Sequence, residues 1–173
     1  MIFGNAAIEN DLIPGGVIEC DDEIQVNPAS VNIRLGNSFS FIDADDEIKL
    51  GDEMPYRSIT VPDGGVLYLA PSAFCLATTR EKVNLPLDIA AFVHGRSSMG
   101  RIALSVQNAG YVDPGFTGHI TLELKNDTSV PIGLIPGYAV GQLVFMGCVG
   151  VTKGYDGKYN GQVEATGSRM HLD

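Results

Sequence analysis

The sequence predicts an antiparallel all-β sandwich or barrel with one or two short helices. Two observations carry this. Apolar residues recur in short runs with period two, the spacing of half-buried strands. The chain of 173 residues also holds 21 glycines and 9 prolines, which punctuate it too often for long helices. Its length suits one domain with a sizeable core, and no internal repeat or linker is visible.

Residues 4–13 predict one short helix, capped by Asn5 and ended by Pro14-Gly15-Gly16. Short strands are expected at 17–20 and 25–26, around the acidic turn Asp21-Asp22-Glu23. Asn27-Pro28-Ala29-Ser30 breaks the chain before an alternating strand at 31–35, and another follows at 39–42. The acidic stretch 43–53 reads as a solvated loop with a weakly specified strand at 48–50. Strands at 57–61 and 66–69 flank Pro62-Asp63-Gly64-Gly65, a hairpin turn signal. Strands at 73–79 and 89–93 lie on either side of a loop containing Pro86. Residues 98–103 have room for one or two helical turns, and 110–118 read as a second hairpin. In 119–124, Ile120, Leu122 and Leu124 share one face of a strand while Thr121 and Glu123 share the other. Strands at 131–135 and 139–146 surround Pro136-Gly137. From Gly150 the tail is glycine-rich and polar. It is expected to stay mobile until a ligand or neighbour orders it. The domain therefore reads as 1–173 with a flexible lid at about 150–173.

Composition excludes several classes. The net charge of −10 leaves no basic stripe for a nucleic-acid backbone. It does not oppose a small phosphate ligand, which needs only a few local cations and a bridging divalent metal. No apolar run approaches the ~20 residues of a membrane helix, and no charged-then-apolar leader is visible, so a cytoplasmic protein is expected. Cys20, Cys75 and Cys148 form no CxxC pair, and His94, His119 and His171 show no metal-ligand spacing. Rossmann and P-loop glycine motifs are absent.

The chemistry-bearing residues concentrate between positions 95 and 123. Gly95-Arg96-Ser97-Ser98 places a turn before the short helix, whose first amides attract anions. Arg96 and Arg101 add forked donors suited to phosphate oxygens. Asp113 stands at the shoulder of the second hairpin, Phe116 beyond its tip and Glu123 on the polar face of the strand.

These residues carry a family resemblance. Gly95-Arg96-Ser97-Ser98, followed by Gly110, Val112-Asp113, Phe116 and Gly118, resembles the second and third motifs of trimeric dUTPases. A longer set is similar to the dCTP deaminases of the same superfamily. It comprises Ser30-Val31-Asn32-Ile33-Arg34-Leu35-Gly36, the two motifs just given, Val140-Gly141-Gln142-Leu143-Val144-Phe145, Tyr155 with Lys158-Tyr159 and Gln162, and Ser168-Arg169. The resemblance implies a distorted jelly roll, the dUTPase-like fold. It also implies a homotrimer with sites between subunits, and Mg2+ held through the triphosphate and water rather than by direct protein ligands. Its substrates would be dCTP and dUTP, its feedback inhibitor dTTP, and its product dUMP for thymidylate supply. One departure is Asn32, where the family usually has aspartate.

Deamination of cytosine requires water to reach C4, a proton to reach N3 and ammonia to leave. Most cytosine deaminases use zinc held by His and Cys, a set this chain lacks, so no zinc is expected and a carboxylate must move the protons. The resemblance assigns that role to Glu123, with a pKa raised by enclosure. It places Ser97 and Arg101 beside the reacting carbon. Arg96, Ser98, Met99 and Gly100 join the substrate-binding set, as do Gly110, Thr121, Leu122 and the carbonyl of Ala109. Asp113 matches the carboxylate that contacts the sugar 3′-hydroxyl and can orient a second water. Phe116 matches an aromatic under the sugar, which leaves no room for a 2′-hydroxyl. Tyr155, Lys158, Gln162 and Arg169 match tail residues that close over the triphosphate.

Deaminase-only relatives tend to carry histidine after the alanine, whereas dUMP-forming ones tend to have glycine and then an aromatic. This chain reads Ala109-Gly110-Tyr111, which favours coupled deamination and diphosphate hydrolysis. The alternatives are a deaminase that releases dUTP, a dUTPase only, and a non-catalytic nucleotide sensor.

Overall fold

In the computed structural model, which describes every residue except Asp46, Asn108, Ala109 and the side chain of Gln107, the alternating runs pair into one curled ten-stranded antiparallel sheet. Its strands are β1 (Ile18–Glu19), β2 (Val26–Asn27), β3 (Ser30–Ile42), β4 (Tyr56–Thr60), β6 (Phe74–Asn84), β7 (Ile89–Gly95), β8 (Leu104–Gln107), β9 (Tyr111–Val112), β10 (Thr117–Asn126) and β12 (Ala139–Gly147). The path runs β8-β10-β6-β3-β12-β7-β9, with β1 on β6 and both β2 and β4 on β3. Strands β5 (Leu67–Leu69) and β11 (Ile132–Leu134) make a separate pair. The fold is the expected all-β one, built on a single curled sheet. Among the described residues its one α-helix of more than a single turn's length is the short α2 (Ser97–Arg101).

Strand β3 makes the sheet curl. Its first half, Val31 to Arg34, pairs with β12, and its second half pairs with β6 and β4. Residues 31–35 and 39–42, expected as two strands, are therefore one. The register shifts between Leu35 and Phe39. A β-carbon at Gly36 would lie 2.3 Å from Thr78 Oγ1 and 3.1 Å from the Thr79 carbonyl, so glycine lets β3 and β6 approach at the bend. Phe39, Leu122, Leu124, Leu143 and Phe145 are fully enclosed inside the curl.

Other expectations are corrected. The helix at 4–13 is one α-turn, α1 (Asn5–Ala7), continued by a π-turn at Ile8–Leu12 that buries Ile8 and Leu12. Its cap position is Gly4, and Asn5 lies inside it. Residues 48–50 form no strand, and Ile48 and Leu50 are exposed, so nothing apolar holds them. Neither hairpin signal joins paired strands. Pro62-Asp63-Gly64-Gly65 leads from β4, which pairs with β3, to β5, which pairs with β11. The 113–116 turn likewise leads from β9 on β7 to β10 on β6. Both turns move the chain between sheet regions, because each following strand buries its apolar face elsewhere.

A buried ion pair ties β3 to β6. Arg34 Nε donates to Glu81 Oε1 at 2.6 Å and its backbone N–H to Oε2 at 2.8 Å. Glu81 is 1 % exposed and Arg34 7 %. Burial works against the Arg34 charge, but the Glu81 carboxylate overcomes it and holds the guanidinium pKa above its usual value. Removing one member strands the other. Glu81→Ala is expected to lower unfolding stability by about 3–5 kcal/mol in urea titration, and a loss below about 1 kcal/mol would contradict this role for the pair.

Candidate active site

The alternation of β10 decides what the site contains. Along Thr117–Asn126 buried and half-buried residues alternate without a break. Leu122 and Leu124 are fully buried on the core side. Thr121 and Glu123 are thereby turned to the opposite face, where both line a cavity of about 480 Å3. This size suits a small-molecule site. Glu123 stands in register between Gln107 of β8 and Leu76 of β6. Leu76, Phe74, Val93 and Ile120 give the cavity its apolar walls.

The turn before β10 supplies the next groups. Asp113 and Phe116 line the cavity with Gly110 and Tyr111. Phe116 N–H donates to the Asp113 carbonyl at 3.2 Å, and Gly115 N–H to the Leu85 carbonyl at 2.9 Å. Gly115 has φ +88°, and a β-carbon there would lie 2.6 Å from Gly154 Cα. The turn and the tail therefore meet backbone to backbone, which only glycine permits. Phe116 is buried, and its ring faces Tyr155 at 5.9 Å between centroids. Tyr111 packs edge-on against Phe92 at 5.0 Å. Its phenol pKa is raised, chiefly by desolvation and then by Cys148 and Asp113 nearby.

The tail roofs the cavity along a definite path. Tyr155 N–H donates to the Pro114 carbonyl at 2.7 Å, Gly161 N–H to the Thr117 carbonyl at 2.7 Å, and His119 N–H to the Gln162 carbonyl at 2.9 Å. Tyr155, Tyr159, Gln162 and 166–168 all line the space beneath. Gln162 Oε1 is a buried acceptor with no partner in the described structure.

The remaining expected residues are not in this cavity. Ser97, Ser98, Gly100 and Arg101 lie exposed on α2. Arg96, just before it, donates from Nη1 to the Ala139 carbonyl at 3.2 Å, and Met99 buries its side chain to anchor the helix. Leu122 points into the core, so its side chain does not line the site. The Lys158 ammonium pairs with the Asp173 carboxylate, and the Arg169 guanidinium donates to the Lys158 carbonyl. Ala109 lies outside the described residues. Asn32, in place of the usual aspartate, accepts from Asn27 Nδ2 at 2.9 Å and donates to Gln25 Oε1 at 3.1 Å. An amide can do both, whereas a carboxylate cannot donate.

Sequence reasoning missed several lining residues, among them Tyr56, Phe74, Leu76 and Thr166. Tyr159 stood inside a quoted motif and was passed over. Tyr56 had no local signal, because it reaches the site only through the pairing of β4 with β3.

A family model described as dCTP deaminase-like matches residues 4–148. A protein named "dCTP deaminase, dUMP-forming" from Sulfurihydrogenibium sp. is 44% identical over 182 aligned positions, which cover 100% of this chain and 99% of the relative. One of the same name from Methanobrevibacter smithii is 42% identical over 99% of this chain and 96% of its own length. Among solved structures, the 2′-deoxycytidine 5′-triphosphate deaminase from Agrobacterium tumefaciens superposes with a TM-score of 0.68 at 22% identity, covering 83% of this chain and 47% of that longer one. The dUTPase from Streptococcus mutans superposes with a TM-score of 0.51 at 18% identity, over 79% of this chain and 98% of its own. Both share the fold.

Proposed function

The chain belongs to the dCTP deaminase-like family, and we propose that it converts dCTP and two waters to dUMP, ammonia and pyrophosphate in one site. The observation that carries this reading is the single cavity uniting Glu123, Asp113 and Phe116 under a tail that offers Tyr155 and Gln162.

In the first step Glu123 takes a proton from a water as its oxygen bonds to C4, and passes that proton to N3. The new hydroxyl proton then goes to the departing nitrogen, the C4–N bond breaks, and ammonia leaves a uracil ring behind. A positioned acid/base suits this transfer. In the second step a water orients on Asp113 and gives it a proton as its oxygen bonds to the α-phosphorus; the bond from that phosphorus to the bridging oxygen breaks, pyrophosphate leaves, and Asp113 returns the proton to solvent. Asp113 also contacts the sugar 3′-hydroxyl, and Phe116 packs where a 2′-hydroxyl would stand. Gln162 Oε1 awaits a donor, which a bound nucleotide supplies.

Ser97, Arg101, Arg96 and Ser98 act from a second copy. The exposure of Ser97, Ser98 and Arg101 on α2, with Arg96 just before it and all four outside the cavity of their own chain, supports a homotrimer in which α2 of one copy, with the Met99–Gly100 segment, closes the cavity of the next. Arg101 then meets Glu123 across the interface.

Among the described residues no three His, Cys, Asp or Glu side chains cluster to hold a metal by themselves. Mg2+ would reach the site on the nucleotide's phosphates and keep several of its waters. When bound it draws charge from the leaving pyrophosphate. Lys158, Arg169 and Tyr155 hold the phosphates from the tail. We read dTTP as the feedback inhibitor, because it offers the same sugar triphosphate with no amino group at C4.

Glu123→Gln is expected to cut ammonia release from dCTP by about 10²–10⁴-fold while nucleotide binding and assembly persist; near-normal release would remove Glu123 from this role. Co-assembly of Glu123→Gln chains with Arg101→Ala chains tests the shared site. If the two groups meet across the interface, an equal mixture of two inactive variants regains about a quarter of the sites. An inactive mixture, despite verified mixed assemblies, would place both residues in one chain's site.

A further inference from the structure

The tail segment 165–169 is held in an unusual way. Four of its backbone N–H groups, within the five residues 165–169, donate to side-chain hydroxyls from four separate elements. Ala165 N–H donates to Ser38 Oγ of β3 at 3.1 Å, and Thr166 N–H to Thr121 Oγ1 of β10 at 3.2 Å. Ser168 N–H donates to Tyr56 Oη of β4 at 3.0 Å, and Arg169 N–H to Tyr159 Oη of the tail at 3.0 Å. Gly167, between them, lies against the Tyr56 ring, where a β-carbon would come within 2.3 Å of Cδ2 and Cε2. Residues 166–168 and Tyr56 all line the cavity, and so does Thr121, two residues from Glu123 on the same strand face.

We propose that these hydroxyls form a clasp that seats the strap 165–169 over the cavity, and that Tyr56 is its central positioning residue, setting strap closure and with it nucleotide affinity. Hydroxyl acceptors suit a strap that must open and shut. Each exchanges one hydrogen bond with water at small net free energy, unlike a buried ladder bond. Tyr56 contributes twice, once through its oxygen and once as the ring on which Gly167 rests. Through Thr121 the clasp reaches the wall beside Glu123, so a seated strap also fixes a hydroxyl two residues from that carboxylate on the same strand face. Ser38 and Tyr56 come from strands that the chain leaves long before the tail, and only the β3–β4 pairing brings them to the rim.

The affinity part rests on the dCTP-processing reading, whereas the clasp itself does not. The test is therefore amide hydrogen exchange of the unliganded Tyr56→Phe protein, which keeps the ring and loses only the oxygen. Exchange in 165–169 is expected to rise about fivefold, the factor one neutral hydrogen bond sets, while β10 stays unchanged. In dCTP kinetics the same variant should raise KM about fivefold with kcat within about twofold. Gly167→Ala should raise KM more than tenfold, and Gly167→Ala with Tyr56→Ser should recover part of that loss by clearing the ring. Unchanged exchange in 165–169 overturns the clasp, whatever the kinetics show. Faster exchange with an unaltered KM keeps the clasp and overturns its role in affinity. If the unmodified protein turns over no dCTP, the function reading fails and the exchange result alone decides the clasp.

Discussion

The phase of one strand governs the site. Leu122 and Leu124 fasten one face of β10 to the core, and this turns Thr121 and Glu123 to the cavity. A slip of one residue would bury the carboxylate and expose leucine. The slip is resisted on both sides, by β6 in register along Thr121 to Lys125 and by β8 along Glu123 to Asn126. A carboxylate on a doubly paired strand has little freedom to drift, which suits the acid/base role proposed for Glu123.

Close contacts then attach the tail to this strand, to the turn before it and to β4. Gly115 meets Gly154, Gly118 meets Gln162 and Gly167 meets Tyr56, each at a distance that a β-carbon would violate. Gly154 and Gly167 of the tail are thus contact points rather than slack. Charge is arranged along the same lines. In a chain of net charge −10, Arg96 and Arg101 stand by α2, while Lys158 is occupied by Asp173. A polyanion arriving at the roof competes with that carboxylate for the lysine.

Much of this was legible in the sequence. The alternation at 119–124 marked Glu123, and the turn residues marked Asp113 and Phe116, because both signals are local. The fold class followed from short runs and frequent turns. What escaped depended on distant pairing. Pro62-Asp63-Gly64-Gly65 has hairpin chemistry, yet β4 and β5 go to different partners. The gap expected between strands 31–35 and 39–42 is a bend within β3, where Gly36 lies against Thr78. Tyr56 joins the site only because β4 lies beside β3. The separation of α2 from the cavity was not legible either, since nothing in a spacing shows which side chains a fold brings together.

Chromatography of products during dCTP turnover with magnesium, beside an ammonia assay, tests the central claim most directly. One cavity that holds the uracil nucleotide until its α-phosphate is attacked should yield dUMP, pyrophosphate and ammonia in equal amounts from the first turnovers, with no dUTP building up. Accumulation of dUTP as the main product would contradict coupled chemistry and leave a deaminase alone.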